Sequence, residues 1–248
     1  MKYRPFIAAL IMAAPQFSAL AIDETESLRQ RSQSKPSFTS LSLNLSGRSG
    51  NSDTEEVSLG AYHSKRVGDH FGFIMATRDY AKSNGVESAD SAFVHLRYNR
   101  YFNKKNALEL FGQSNVDDFR SLESRNLIGV AVRHEVSKFQ AFGVGLFQEW
   151  EEYLVEDRQQ EFDQLRVNLY WVLAKDLSDN ATITNTFYYQ PNTEDTHDWR
   201  AFNQLSIRSK ITERLYLSFG LLLEHDSRPV LDVEKTDSSY QAGFEFEF

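Results

Sequence analysis

Tyr240-Gln-Ala-Gly-Phe-Glu-Phe-Glu-Phe248 closes the chain. Phe244, Phe246 and Phe248 take every second position, so in an extended strand they share one face, which Tyr240 and Ala242 continue. Glu245 and Glu247 take the other face. A soluble protein gains little by ending on an exposed Phe, whereas a strand in lipid must present apolar groups to its last residue. The expectation is a membrane strand whose two Glu point into a polar lumen.

The same period of two runs backwards through the chain. Leu41, Leu43 and Leu45 alternate with Ser40, Ser42 and Asn44, and Val57, Leu59 and Ala61 alternate with Ser58 and Gly60. Phe71, Phe73 and Met75 share a face, as do Val94, Leu96 and Tyr98 against His95 and Arg97. Leu108/Leu110, Ile128/Val130/Val132, Phe142/Val144/Leu146 and Leu165 to Leu173 follow. So do Ile183/Phe187, Leu205/Ile207 and Leu215 to Leu223. With the last strand these make about twelve segments, each near the ~10 residues that a tilted membrane strand needs. The predicted fold is all-β: a single antiparallel transmembrane β-barrel of about twelve strands over residues 37–248.

Connections such as Lys65-Arg-Val-Gly-Asp-His70, Asn103-Lys-Lys-Asn106 and Lys210-Ile-Thr-Glu-Arg214 are short. Those between them are longer and more acidic: Asn115 to Ser124, Glu151 to Asp163, Gln190 to Asp198 and His225 to Ser239. Short periplasmic turns opposite longer extracellular loops are the expected asymmetry. A lipocalin-like barrel or a sandwich also alternates, but its polar face would be rich in Lys and Glu. Here that face carries Ser, Thr, Asn, Gln, Tyr and Arg, and Lys sits in turns.

The other end of the chain carries an address. Lys2 and Arg4 precede the apolar stretch Phe6-Ile-Ala-Ala-Leu-Ile-Met-Ala-Ala14, and Ala19-Leu-Ala21 is a small-x-small cleavage signature. Residues 1–21 are expected to be removed as a signal peptide. Residues 22–36, polar and rich in Ser, Arg and Gln, read as a flexible N-terminal lead.

The 248 residues are 41% hydrophobic and 13% aromatic, with 19 Phe and 11 Tyr, a bias that suits strands and interfacial belts. Formal charge is −8, and losing Lys2 and Arg4 makes it −8 − 2 = −10, which argues against a nucleic-acid partner. With no cysteine, disulfides, thiolate metal sites and Cys nucleophiles are excluded. No phosphate-binding Gly loop, zinc motif or nucleotide fingerprint occurs, so no cofactor or metal is expected.

The terminal Phe stripe resembles the insertion signal that the barrel-assembly machinery of Gram-negative bacteria reads. That resemblance makes the machinery and the lipid bilayer of the cell outer membrane the expected partners. The chain also resembles the YdiY-like family of salt-induced outer-membrane proteins, otherwise a domain of unknown function. The resemblance rests on Gly50-Asn-Ser-Asp-Thr54, Leu96-Arg-Tyr98 and Lys235-Thr-Asp237. It implies an outer-membrane barrel and brings no catalytic residues.

Chemistry is sparse. His63-Ser64 and His95 suggest the Ser/His hydrolysis of outer-membrane phospholipases, but no Ser on an apolar face accompanies His95. Asp117-Asp118 and His225-Asp226 at the expected outer rim are similar to the acids and His of omptin proteases, with different spacing. Asp195-Thr-His-Asp198 and Asp232-Val-Glu234 offer oxygen ligands without a metal-loop spacing. The lumen is the more informative region. Arg48, Arg66, Arg78, Arg97, Arg166 and Arg208 fall on polar faces with His95, and Glu109, Glu224, Glu245 and Glu247 can answer them, as can Glu56. Two readings remain open: a lumen closed by Arg–carboxylate pairs, or a narrow pore whose unpaired Arg favour anions. The expected function is that of a non-enzymatic outer-membrane barrel, structural or stress-related, passing small solutes slowly at most. A surface hydrolase is the alternative.

Overall fold

Period-two patterning becomes twelve strands. The computed structural model describes residues 25–48, 53–118, 121–230 and 234–248. Within them lie a helix α1 (Thr25–Ser32) and the strands β1 (Ser37–Arg48), β2 (Thr54–Val67), β3 (His70–Ser83) and β4 (Val86–Tyr101). There follow β5 (Asn106–Asp117), β6 (Leu122–Ser137), β7 (Gln140–Val155) and β8 (Arg158–Ser178). The last four are β9 (Ala181–Pro191), β10 (Trp199–Lys210), β11 (Leu215–Asp226) and β12 (Thr236–Glu247). Each strand pairs antiparallel with its sequence neighbours, and β1 pairs with β12 to close the barrel. An even strand number brings both chain ends of the barrel to one rim, where Ser40 lies opposite Glu247. This is the terminal rim; the other is the loop rim.

The outer face is apolar. Leu41, Leu43, Leu96, Ile128, Val132, Val144, Phe187 and Leu217 are exposed there, and Tyr240, Phe244, Phe246 and Phe248 continue the belt along the closing strand. Exposed aliphatic and aromatic side chains around a whole barrel are the surface that lipid covers.

Three expectations need correction. First, Glu151 to Asp163 is not a loop. β7 and β8 run on to a two-residue turn at Glu156 and Asp157, with φ of 51° and 59°. Positive φ at both central residues is the hairpin turn that matches strand twist. The Asn84-Gly85 turn between β3 and β4 has the same character, with φ of 52° and 78°. Asymmetry between the rims therefore comes partly from strand length: β8 has 21 residues.

Second, Phe71, Phe73 and Met75 face inwards. They pack with Phe38, Tyr62 and Phe93 into an aromatic cluster in the lumen near the terminal rim. Arg78, on the opposite face of β3, therefore points outwards, where it pairs with Asp90. A charge on the lipid side is costly, and the partner carboxylate offsets that cost.

Third, residues 25–32 of the presumed flexible lead form α1, and Thr25, Glu26, Ser27, Arg29 and Ser32 are buried. Leu28 packs against the aromatic cluster. Residues 1–24, including the cleavage positions Ala19 and Ala21, lie outside the described residues.

Candidate functional site

Three layers of charge cross the lumen. The layer at the terminal rim joins α1 to the last strand. Arg31 lies 2.8 Å from Glu245 and 2.7 Å from Glu247, and Arg208 reaches Glu245 at 3.1 Å and also bonds Glu247. The terminal glutamates thus face inwards, as their alternation with Phe requires.

The middle layer is built around Glu26. Its two carboxylate oxygens lie 3.0 Å from Arg97 on β4 and 3.0 Å from Arg133 on β6, and Arg29 of α1 sits 3.6 Å away. Arg133 also holds Glu135 at 2.8 Å, and Asn99 donates to Glu109 at 2.7 Å. Burial alone would raise the Glu26 pKa. The guanidinium groups of Arg133, Arg29 and Arg97 outweigh it and hold the carboxyl down to about 2.

The layer nearest the loop rim centres on Glu149, which is fully buried on β7. Arg125 reaches it at 2.9 Å, Arg166 at 2.5 Å and Arg200 at 3.2 Å. Glu151 takes Arg125 at 3.2 Å and Arg200 at 2.8 Å, Asp198 takes Arg166 at 3.0 Å and Asp226 takes Arg200 at 2.9 Å. Three guanidinium groups meet four carboxylates, so this floor does not invite anions.

Of the lumen candidates, Arg97, Glu109, Arg166, Arg208, Glu245 and Glu247 sit in these layers. His95 is buried beside them, stacked on Phe73 and Phe93 and hydrogen-bonded to Gln113 at 2.8 Å. Glu224 is buried at the wall of a cavity of about 230 Å³ under the loop rim. Arg66 lies at the terminal rim over the rings of Phe71 and Tyr101. Glu56 is half-buried, and the Arg48 side chain lies outside the described residues. Glu26, Arg29, Arg31, Arg125, Arg133, Glu135, Glu149 and Arg200 did not stand out in the sequence as charged lumen groups. For Glu149 a signal existed: Glu149, Glu151, Tyr153 and Val155 keep period two into the stretch read as a loop.

The opposite wall is different. β1, β2, β3, β11 and β12 enclose a slot of about 110 Å³ lined by short polar groups, among them Ser40, Ser42, Asn44, Ser58, Thr77 and Ser218. Leu28 of α1 and Tyr62 also border it, and Asp79 and Glu245 are its only charged lining groups among the described residues. A Cβ added at Gly220, on the same wall, would meet nothing within 4 Å.

The hydrolase constellation does not assemble. Asp226 is bonded to Arg200, and His225 stacks on Trp199 and hydrogen-bonds Thr236 at 2.8 Å. Asp117 belongs to β5, six strands round the ring from β11. In the 195–198 loop, Asp195 is taken by the backbone N–H of His197 at 3.0 Å and by Arg228 at 2.8 Å, which lowers its pKa. Asp198 turns inwards to Arg166. Among the described residues no three His, Asp or Glu converge as a metal site, and Asp232 lies outside them.

The profile of a family described as "protein of unknown function, DUF481" matches residues 41–248. The chain belongs to that family. No curated protein matches this DUF481 chain in sequence. Among solved structures it is similar to the NanC porin, with a TM-score of 0.52 and 13% identity, over 84% of this chain and 98% of that one. It is also similar to the translocator domain of the autotransporter NalP from Neisseria meningitidis. There the TM-score is 0.51 at 9% identity, over 90% of this chain and 94% of that one. Both likenesses concern the barrel fold.

Proposed function

We propose that this protein is a non-enzymatic barrel of the outer membrane, exported through removal of residues 1–21, that passes small neutral or cationic solutes along one side of its lumen. On this reading the terminal rim faces the periplasm, the loop rim faces outwards, and the Phe stripe of β12 is what the barrel-assembly machinery engages. The observation that carries it is the asymmetry of the lumen. Arg and Glu from β4 to β10 neutralise one another across most of the section, while the β11-β12-β1-β2 wall, beyond the Glu245 and Glu247 pairs at the terminal rim, presents Ser, Asn and Gly too short to reach them. The anion-selective alternative loses its support, because Arg97, Arg125, Arg133, Arg166, Arg200 and Arg208 all have carboxylate partners. With Asp79 on the slot, selectivity should lean towards cations.

Planar-bilayer recording tests this. Gly220→Trp should fold, since the added side chain grows into open space, and should abolish the conductance. Asp79→Asn should move the reversal potential in a salt gradient towards zero. Wild-type protein that never conducts above the lipid background, with or without α1, removes the pore.

A further inference from the structure

Closure of the barrel is incomplete. β1 and β12 are each 12 residues long, yet among the described residues their ladder runs only from Ser40↔Glu247 to Leu43↔Phe244, with Thr39 and Phe248 exchanging backbone hydrogen bonds at the terminal rim. Towards the loop rim it stops. β1 stays paired with β2 up to Arg48↔Thr54, and β12 stays paired with β11 from Phe246 to Thr236. Two strand edges therefore face each other without a ladder over half the height of the wall. Asn44 replaces the next pair by laying its side chain against Gly243, where a Cβ would collide with it. On the outer face Leu45 and Tyr240, both exposed, flank the gap.

Unpaired backbone N–H and C=O groups at membrane depth are tolerated only where polar matter covers them. The matter at hand lies just inside. The slot is bordered by Ser40, Ser42 and Asn44 of β1 and by Gln241 of β12, so it lies directly behind the seam. An apolar surface outside, a gap in the wall, and a small polar chamber carrying carboxylates but no guanidinium group lie in one line. We propose that the β1–β12 seam is a lateral portal. It admits an amphiphile from the facing leaflet, whose neutral hydroxylated or cationic head enters the slot while its alkyl chain stays in lipid beside Leu45 and Tyr240. Anionic heads are disfavoured by Asp79, whereas Glu245 is already engaged by Arg31 and Arg208. The inference shares its chamber with the proposed pore but reads a different route, so either can fail alone.

The test uses the whole barrel in nanodiscs and a photoreactive dodecyl glucoside as probe. Labelling is expected to concentrate at Leu43–Leu45 and Tyr240–Ala242, whereas photoreactive dodecane, lacking a head, should label the whole belt. The chain has no native cysteine, so Leu45→Cys with Ala242→Cys can lock the seam. The disulfide should abolish the concentrated glucoside labelling and reduction should restore it, with conductance unchanged. Independently of any variant, the amides of Leu45 and Ala242 should exchange with deuterium far faster than those at the centres of β5 and β7. Uniform glucoside labelling around the belt, labelling that survives the lock, or seam amides as protected as those of β5 would overturn the portal.

Discussion

Glu149→Ala is expected to lower the stability of the barrel by about 3 kcal/mol, at the low end of the cost of breaking a buried ion pair from one side. Glu149 is wholly buried and, among the described residues, is the one carboxylate that touches Arg125, Arg166 and Arg200 together. Its loss leaves Glu151, Asp198 and Asp226 to balance three guanidinium groups, so net charge does not become extreme. What goes is the hub that keeps three buried cations apart at hydrogen-bonding distance. The measurement is urea unfolding in lipid vesicles, followed by tryptophan fluorescence. Glu152→Ala is the control, because Glu152 is exposed on the other face of the same strand and should change stability by no more than about 0.5 kcal/mol. Equal midpoints for the two variants would falsify a structural role for the hub.

How much of this was legible in the chain differs between wall and lumen. The wall follows from alternation, because lipid outside and polar groups inside impose opposite demands on neighbouring residues. Leu41, Leu43 and Leu45, the Phe stripe of β12 and the strand number all follow from that rule. β3 breaks it. Phe71, Phe73 and Met75 read as a lipid face, yet they turn inwards because Phe38, Tyr62, Phe93 and Leu28 make that part of the lumen apolar. Arg78 was misplaced with them. Period two fixes that two faces exist and leaves open which one is inside, and only the neighbouring strands decide it.

The lumen networks were half legible for a different reason. Glu245 and Glu247 could be placed inside because they alternate with Phe. Glu26, Arg29 and Arg31 could not, because a short helix that is polar all round looks like a solvated lead. Its partners Arg97, Arg133, Glu245 and Glu247 lie from 71 to 216 residues away in sequence. A polar helix is unremarkable in water, but in a barrel it matches the one interior that is itself polar. Glu149 and Glu151 near the loop rim were hidden by an assumption about length: strands were expected to run about 10 residues, and β7 and β8 run on past that, to 16 and 21.

Glu26→Gln should raise the conductance of the barrel at neutral pH. α1 floors the slot with Leu28, and Glu26 fixes the helix by bonding β4 and β6 at once. Glu109 and Glu135 face the same guanidinium groups, and Tyr101 takes Arg29, but Glu26 alone connects the helix as an acid to the wall. Its pKa falls from 4.5 free to about 2 docked, which corresponds to about 3 to 4 kcal/mol and a docking ratio changed about 300-fold. Above pH 4.5 the carboxylate is charged in both states and the contribution is complete. As pH falls from 4.5 towards 2, the released helix takes up a proton that the docked helix refuses, and the contribution is lost. Wild-type conductance should therefore rise through that window, while Glu26→Gln, already open, should lack that rise. Arg31→Gln separates the two anchors: it removes the bonds to Glu245 and Glu247 and leaves the Glu26 response in place. If wild type and Glu26→Gln conduct alike at pH 7 and respond alike to acid, the helix is not held by this carboxylate, and the gate must lie elsewhere in the lumen.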